Sequence, residues 1–260
     1  TPRRVHRPRG AGLIILITLA LSRPGHAPAC DVCAVYTATE MAERRPGLRL
    51  GVAEQVTSFG PLQESGHEVP NPANEHMTSA ITQVVVGYNL SPRIGLQLNL
   101  PIVSRTFQRL EQGRPHDGDE TGVGDLSLLA HVLAASTVTE RSVFRFSLLA
   151  GLKLPSGDSG RLREELHESA DAEASGIHGH DLTLGSGSVD GLVGGQLFWS
   201  WQRLFVTAAG QYALRTTGAF GYRFADELTW SSGPGVFVVL GHDYTLAAQA
   251  VVSGETKGKD

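Results

Sequence analysis

The stretch Arg93-Ile94-Gly95-Leu96-Gln97-Leu98-Asn99-Leu100 decides the fold. Its even positions are apolar and its odd positions are polar or glycine, the period of two that belongs to a strand with two unlike faces. Residues 142–154 repeat the pattern, with Phe144, Phe146, Leu148, Ala150, Leu152 and Leu154 on one side and Arg145, Ser147, Gly151 and Lys153 mainly on the other. Residues 244–252 set Tyr244, Leu246, Ala248, Ala250 and Val252 against Thr245, Gln249 and Ser253. Noisier alternation at 48–59, 79–90, 123–135, 189–201, 204–215 and 222–240 brings the expectation to about nine strands and no amphipathic helix.

The links between these segments alternate in length. Short ones lie at Ser91-Pro92, 137–141, Gln202 and 241–243; longer ones at 60–77, 108–121, 155–188 and 217–221. Transmembrane β-barrels are built in this way, with tight turns on the periplasmic side and longer loops outside. A closed barrel also pairs every backbone donor and acceptor inside lipid and leaves no sheet edge. The expected fold is therefore an all-β, antiparallel, up-and-down transmembrane barrel of about 10–12 strands when complete. One face would meet lipid and the other would line a polar lumen. Tyr88, Phe144, Phe146, Trp199, Trp201, Phe205 and Tyr244 lie close to short links, as an inner aromatic girdle would; Phe59, Phe107, Phe220 and Tyr222 supply a thinner outer one. The rival architecture is an exported soluble barrel or sandwich whose apolar face is its core.

Composition agrees with that frame and removes others. The 260 residues are 41% hydrophobic and 18% charged with 31 glycines, which excludes collagen, coiled coil and disorder. The apolar run at 12–21 is half of the roughly 20 residues a spanning helix needs. Arg3, Arg4, Arg7, Arg9 and Arg23 sit in the first 29 residues, which hold no acid, so the rest is more acidic than the whole-chain net charge of −4. Nucleic acid, which demands clustered lysine and arginine, is not an expected partner.

The N-terminus has the three-part layout of an export leader: an Arg-rich start, an apolar segment and small residues at Ala27-Pro28-Ala29. Residues 1–29 are read as a signal peptide, 30–46 as a periplasmic segment and 47–260 as the barrel, in the cell outer membrane. Cys30-Asp31-Val32-Cys33 lacks the histidine of haem attachment and a second pair for zinc, leaving a local disulfide or an acylated Cys30. Strand parity sends both the first and the ninth strand outward, whereas barrels of this type have even strand numbers. The barrel is therefore expected to lack at least one C-terminal strand.

Four stretches carry a family resemblance: Leu98-Asn99-Leu100-Pro101-Ile102, Gly122-Val123-Gly124-Asp125-Leu126, Gly151-Leu152-Lys153-Leu154-Pro155-Ser156-Gly157-Asp158 and Leu184-Gly185-Ser186-Gly187-Ser188-Val189-Asp190. In this order, and at strand ends, they resemble the outer-membrane transporter family of the meta-pathway of phenol degradation. The resemblance implies a barrel that passes small, often aromatic or hydrophobic, molecules. It brings no catalytic residues with it, and Cys30–Cys33 falls outside its pattern.

Parity nominates Arg93, Gln97, Asn99, Arg145, Gln196 and Gln211 as lumen lining, and Asp125, Lys153, Asp158 and Asp190 as mouth residues that set selectivity. His116-Asp117-Gly118-Asp119 and His178-Gly179-His180, with His167 upstream, fall in long links; imidazole beside carboxylate can hold zinc, copper or nickel. No resident cofactor is otherwise expected. No nucleophile–base pair is legible, since the serines of 185–188 lack the following helix of a nucleophile elbow, so no enzyme activity is expected. The first expectation is a channel for small molecules. The second is a non-transporting surface barrel that binds divalent metal, and a lipid-modifying barrel enzyme is a distant third. The oligomeric state is not legible.

Overall fold

The computed structural model describes residues 13–19, 46–60, 63–64, 67–68, 70–111, 113–165, 175–241 and 244–258. Its strands are β1 (Leu13–Leu19), β2 (Gly47–Phe59), the two-residue pair β3 (Gln63–Glu64) and β4 (His67–Glu68), β5 (His76–Asn89), β6 (Ile94–Glu111), β7 (Arg114–Val123), β8 (Leu126–Val138), β9 (Ser142–Leu154), β10 (Asp190–Trp201), β11 (Leu204–Leu214), β12 (Glu227–Leu240), β13 (Tyr244–Ala250) and β14 (Val252–Lys257). Helix is confined to single turns at Leu162–Glu165, Gly179–Leu182 and Ala219–Gly221 among the described residues.

The strands form one curled, almost wholly antiparallel sheet in the order β13-β12-β11-β10-β9-β8-β6-β5-β2. β13 and β14 pair with two halves of β12 around a break at Val251, so together they act as a ninth strand. Apart from β7, which pairs with β6 off this path, and the separate β3–β4 pair, each strand neighbours the next in sequence, because two- to four-residue turns permit nothing else at one end. Among the described residues the two edges do not meet: β2 pairs with β5 alone, and the outer side of β13 carries β1 in parallel register, Leu13 opposite Tyr244.

Alternation in the sequence becomes two faces in space. Leu96 is 40% exposed on the convex side while its neighbour Gln97 is 1% exposed on the concave side. Asn89, Gln83, Asn99, His131, Ser147, Gln196, Ser231 and Gln249 are also buried on the concave face. The convex face carries Leu48, Leu50, Val52, Leu128, Val132, Leu148, Leu152, Val193, Leu204, Leu214, Leu228 and Val236, all exposed. A soluble β-protein buries its apolar face; this sheet does the reverse. β11 crosses the apolar band with 11 residues. At about 3.4 Å per residue and a tilt near 40° that covers about 25 Å, the height of a barrel's lipid-facing band.

The concave face is more mixed than a purely polar lumen. Leu129, Leu149, Leu192 and Ala213 form one buried apolar layer, and Phe198, Phe205 and Ala247, backed by Val143 and Phe237, form another near the short turns. Gly235 makes room for the Phe205 ring: a Cβ there would lie 2.1 Å from it. Phe205 and Phe107 are therefore inward core residues, not parts of an aromatic girdle. Odd-numbered inward positions follow from Gln211 and Ala213 along β11, and from Arg105 and Arg109 along β6. Tyr88, Trp199 and Trp201 do lie outward beside the short turns, with the Trp199 indole donating to Ser142 Oγ at 3.1 Å. Tyr212 and Trp230 lie outward nearer the long-link end.

Three expected boundaries move. The 108–121 link is largely a hairpin: β6 runs on to Glu111 and pairs with β7, turning through Gly113 at φ 73°. The period of two misses it because a ladder wet on both sides needs no apolar alternation. The strand expected from 123 begins at Leu126, since Gly124 bonds back to the Pro101 carbonyl at 2.8 Å and ends β7. Residues 222–226 are link, and β12 starts at Glu227. Cys30, Cys33 and His167 lie outside the described residues.

Candidate functional site

The long links emerge at one end of the sheet, and five charged side chains of the concave face gather beneath them, whereas Arg49 and Arg145 lie toward the short turns. Asp125 sits immediately before β8, Lys153 near the end of β9, Asp190 opens β10, Arg215 follows β11 and Glu227 opens β12. Adjacent strands thus contribute alternating charges at the same rim. Lys153 Nζ lies 2.8 Å from Asp125 Oδ2 and 2.8 Å from Asp190 Oδ2. Arg215 then bridges Asp190 at 3.0 Å and Glu227 at 2.8 Å. Asp190 is 0% exposed, and its other oxygen accepts the Thr216 amide at 2.9 Å. The result is a belt of five side chains in which each charge has an opposite neighbour.

Asp125 joins this belt to the link between β9 and β10. It accepts the amides of Gly157 at 3.0 Å and Ser186 at 2.9 Å, and the Ser186 hydroxyl at 2.7 Å. Ser186 Oγ also accepts from Lys153 Nζ and from the Ser188 hydroxyl. That hydroxyl thus connects Asp125, Lys153 and Ser188.

Below the belt lies a cavity of about 90 Å³ lined by Gln83, Asn99, Pro101, Asp125, Ser127, Leu129, Leu192 and Gln211. Gln83 Oε1 is buried without a hydrogen-bond partner, as are both amide atoms of Gln196 lower down. Gln97 donates to Asn99 at 2.7 Å. From the rim downward the concave face therefore runs through charges, amides, leucines, amides again and phenylalanines.

Above the chamber, the segment 175–188 folds inward. Ile177 and Leu182 pack with Met77 of β5 and Phe107 of β6 in a buried cluster. The Arg105 guanidinium donates to the Thr183 carbonyl at 2.6 Å, and Leu184 and Gly185 donate to the Asp158 carbonyl. Arg109 reaches Glu164 at 2.9 Å, and Arg161 donates to Glu120 at 2.6 Å.

The residues nominated by parity separate into three groups. Gln97, Asn99, Asp125, Arg145, Lys153, Asp190, Gln196 and Gln211 all face the concave side, and Asp125, Lys153 and Asp190 are in contact. Arg93 is exposed in the β5–β6 turn, at the opposite end from the mouth. Asp158 is exposed too: its carboxylate caps the Gly160 amide, and its carbonyl anchors the inward segment. Ser186, of the 184–190 stretch, also belongs to the site, as do Arg215, Glu227 and Gln83, which no motif marks in the sequence. The parity rule reaches Arg215 and Glu227, since each extends an inward row by one step.

Among the described residues, no group of three His, Cys, Asp or Glu side chains is assembled around a common point. His116 and Asp117 are consecutive residues of β7 and so point to opposite faces; Asp119 shares the Asp117 side. The His178 and His180 rings stack face to face at 5.5 Å. His180 Nδ1 instead meets Glu165 at 3.0 Å.

The mouth network predicts a pH response. Burial pushes the Asp125 carboxyl up, but hydrogen bonds from Lys153 and Ser186, with the Lys153 charge, outweigh it and hold the group below the usual carboxylate range. Glu164 is lowered in the same way by Arg161 and Arg109, against the opposing effect of burial. A carboxylate depressed in the folded state stabilises fully above its unfolded pKa, and that contribution is lost as pH falls through the folded value. The urea midpoint should therefore be flat from neutrality to about pH 5 and fall steadily below about pH 4. A midpoint that rises on acidification would refute this.

No family model matches the chain, and no curated protein matches it significantly.

Proposed function

We propose that this chain is an outer-membrane β-barrel protein that passes small molecules between its mouth and the short-turn end, without catalysis and without a resident cofactor. The observation that carries this reading is the inverted polarity of the sheet: Leu96 outside and Gln97 inside, recurring as Leu148 outside and Ser147 inside, and as Val132 outside and His131 inside. Such a surface is stable where acyl chains, not water, solvate it. The alternation of link lengths supports the orientation, with long links outside and tight turns facing the periplasm.

The lining supports a cargo class. Amide layers alternate with leucine and phenylalanine layers, so a molecule with an apolar body and a single hydrogen-bonding group finds a partner at each level. That agrees with the small aromatic or hydrophobic cargo of the family that the four strand-end stretches resemble. A barrel of about ten to twelve strands would enclose a narrower lumen than a 16–18-strand porin, which favours slow selective passage over general diffusion.

Charge reversal at the belt tests the reading. Lys153→Glu sets an added carboxylate beside Asp125 and Asp190, and in planar bilayers it should change single-channel conductance and ion preference. An absence of current in the unaltered protein would favour a non-transporting barrel.

A further inference from the structure

We propose that Glu75 is the positioning residue that holds the segment 175–188 over the chamber, so that the mouth opens when the Glu75 end is released. The proposal rests on the channel reading above. Glu75 lies just before β5, outside the belt, and is 3% exposed although it carries a carboxylate. A buried carboxylate is costly unless donors surround it, and here they come from two other links. Its Oε1 accepts the Leu110 amide of the β6–β7 hairpin at 2.8 Å and the Ser175 hydroxyl, and its Oε2 accepts the Gly176 amide at 3.2 Å. Asn71 fixes the Glu75 backbone from below, accepting its amide at 2.8 Å and donating to its carbonyl at 2.8 Å. Glu75 thus ties three links to one another at a single point.

Beyond Gly176 the chain enters the chamber mouth. Ile177 and Leu182 wedge against Met77 and Phe107, the inward residues standing above Gln83 and Asn99 on the same two strands. The segment then crosses to the belt, where Asp125 takes the Ser186 amide and the Ser186 carbonyl accepts Ala219 of the β11–β12 link at 3.2 Å. His180 stacks on Tyr222 of that link at 5.8 Å. It is a strap held at two ends of different kind and, between them, by Arg105 on the Thr183 carbonyl and by the Asp158 carbonyl on Leu184 and Gly185. The Asp125 end is tied into a charge belt spanning five positions, whereas the Glu75 end hangs on one carboxylate and a four-residue apolar cluster. The Glu75 end is the one that lets go first.

Glu75→Gln keeps the side-chain volume but removes the charge and, with Oε1 still accepting from Leu110 and Ser175, sets an amide donor against the Gly176 amide. Losing one charged hydrogen bond of this kind shifts a local opening equilibrium by about tenfold or more. The test uses the full chain in lipid vesicles with Cys30 and Cys33 replaced by serine and Ile177→Cys as a reporter. Thiol labelling should accelerate by about tenfold or more on adding Glu75→Gln, and bilayer recordings should show a matching rise in open probability. Unchanged labelling in a folded Glu75→Gln protein overturns the proposal. Faster labelling with no current in either protein overturns gating through failure of the channel reading, while leaving Glu75 as the anchor of the strap.

Discussion

Leu148→Arg is expected to destabilise the protein in a lipid bilayer by about 2–4 kcal/mol, the cost of an arginine at the midplane of a barrel's lipid face. Leu148 stands on the convex side in the middle of β9 and is 49% exposed. For a soluble protein, a site exposed to that degree accepts arginine within about 0.5 kcal/mol. The two accounts of the same leucine therefore differ severalfold in free energy, and urea titration of vesicle-bound protein separates them. Leu204→Arg, beside the tight turn at Gln202-Arg203, should cost only about 0–1 kcal/mol because its guanidinium reaches the interface. Depth dependence within one apolar face is what a membrane imposes and an aqueous surface does not.

The second large effect is expected at Asp190. Its carboxylate is inaccessible to solvent and serves both Lys153 and Arg215, whose side chains are only 12% and 17% exposed. Asp190→Ala leaves two buried cations short of an acceptor and orphans the Thr216 amide. Removing one partner of a buried pair costs about 3–5 kcal/mol, most of it from the charge left behind. Asp190→Asn, which still accepts the amide, should fall between the alanine variant and the native protein. A loss below about 1 kcal/mol for Asp190→Ala would mean that water reaches the belt freely and that the five charges are a solvated rim.

Much of this arrangement is legible because β-structure writes itself into sequence with a period of two. The segment 142–154 coincides with β9 at both ends, and the parity of 93–100 correctly places Gln97 and Asn99 inward. The period fails where its physical cause is missing. β7 has solvent on both faces, so His116, Asp117 and Asp119 have the composition of a loop although they form a ladder with β6. Nearness to links suggests interfacial aromatics at Phe205 and Phe107, whereas their odd positions aim them inward. Of the belt, Asp125, Lys153 and Asp190 stand out as polar residues at strand ends; that they touch depends on the register between β8, β9 and β10, which no single strand encodes. Glu75 is invisible for a different reason. A lone glutamate in a link says nothing of its burial until three links converge on it.

The three tryptophans offer the most direct test of which solvent wets the apolar face, because Trp199, Trp201 and Trp230 all lie on it with exposures of 49%, 53% and 42%. Unaltered protein is reconstituted into vesicles of ordinary lipid and of lipid brominated along its acyl chains, and tryptophan emission is compared with that in aqueous iodide. The account predicts strong quenching by the brominated chains and little by iodide. Emission that iodide extinguishes and bromine leaves untouched would contradict it.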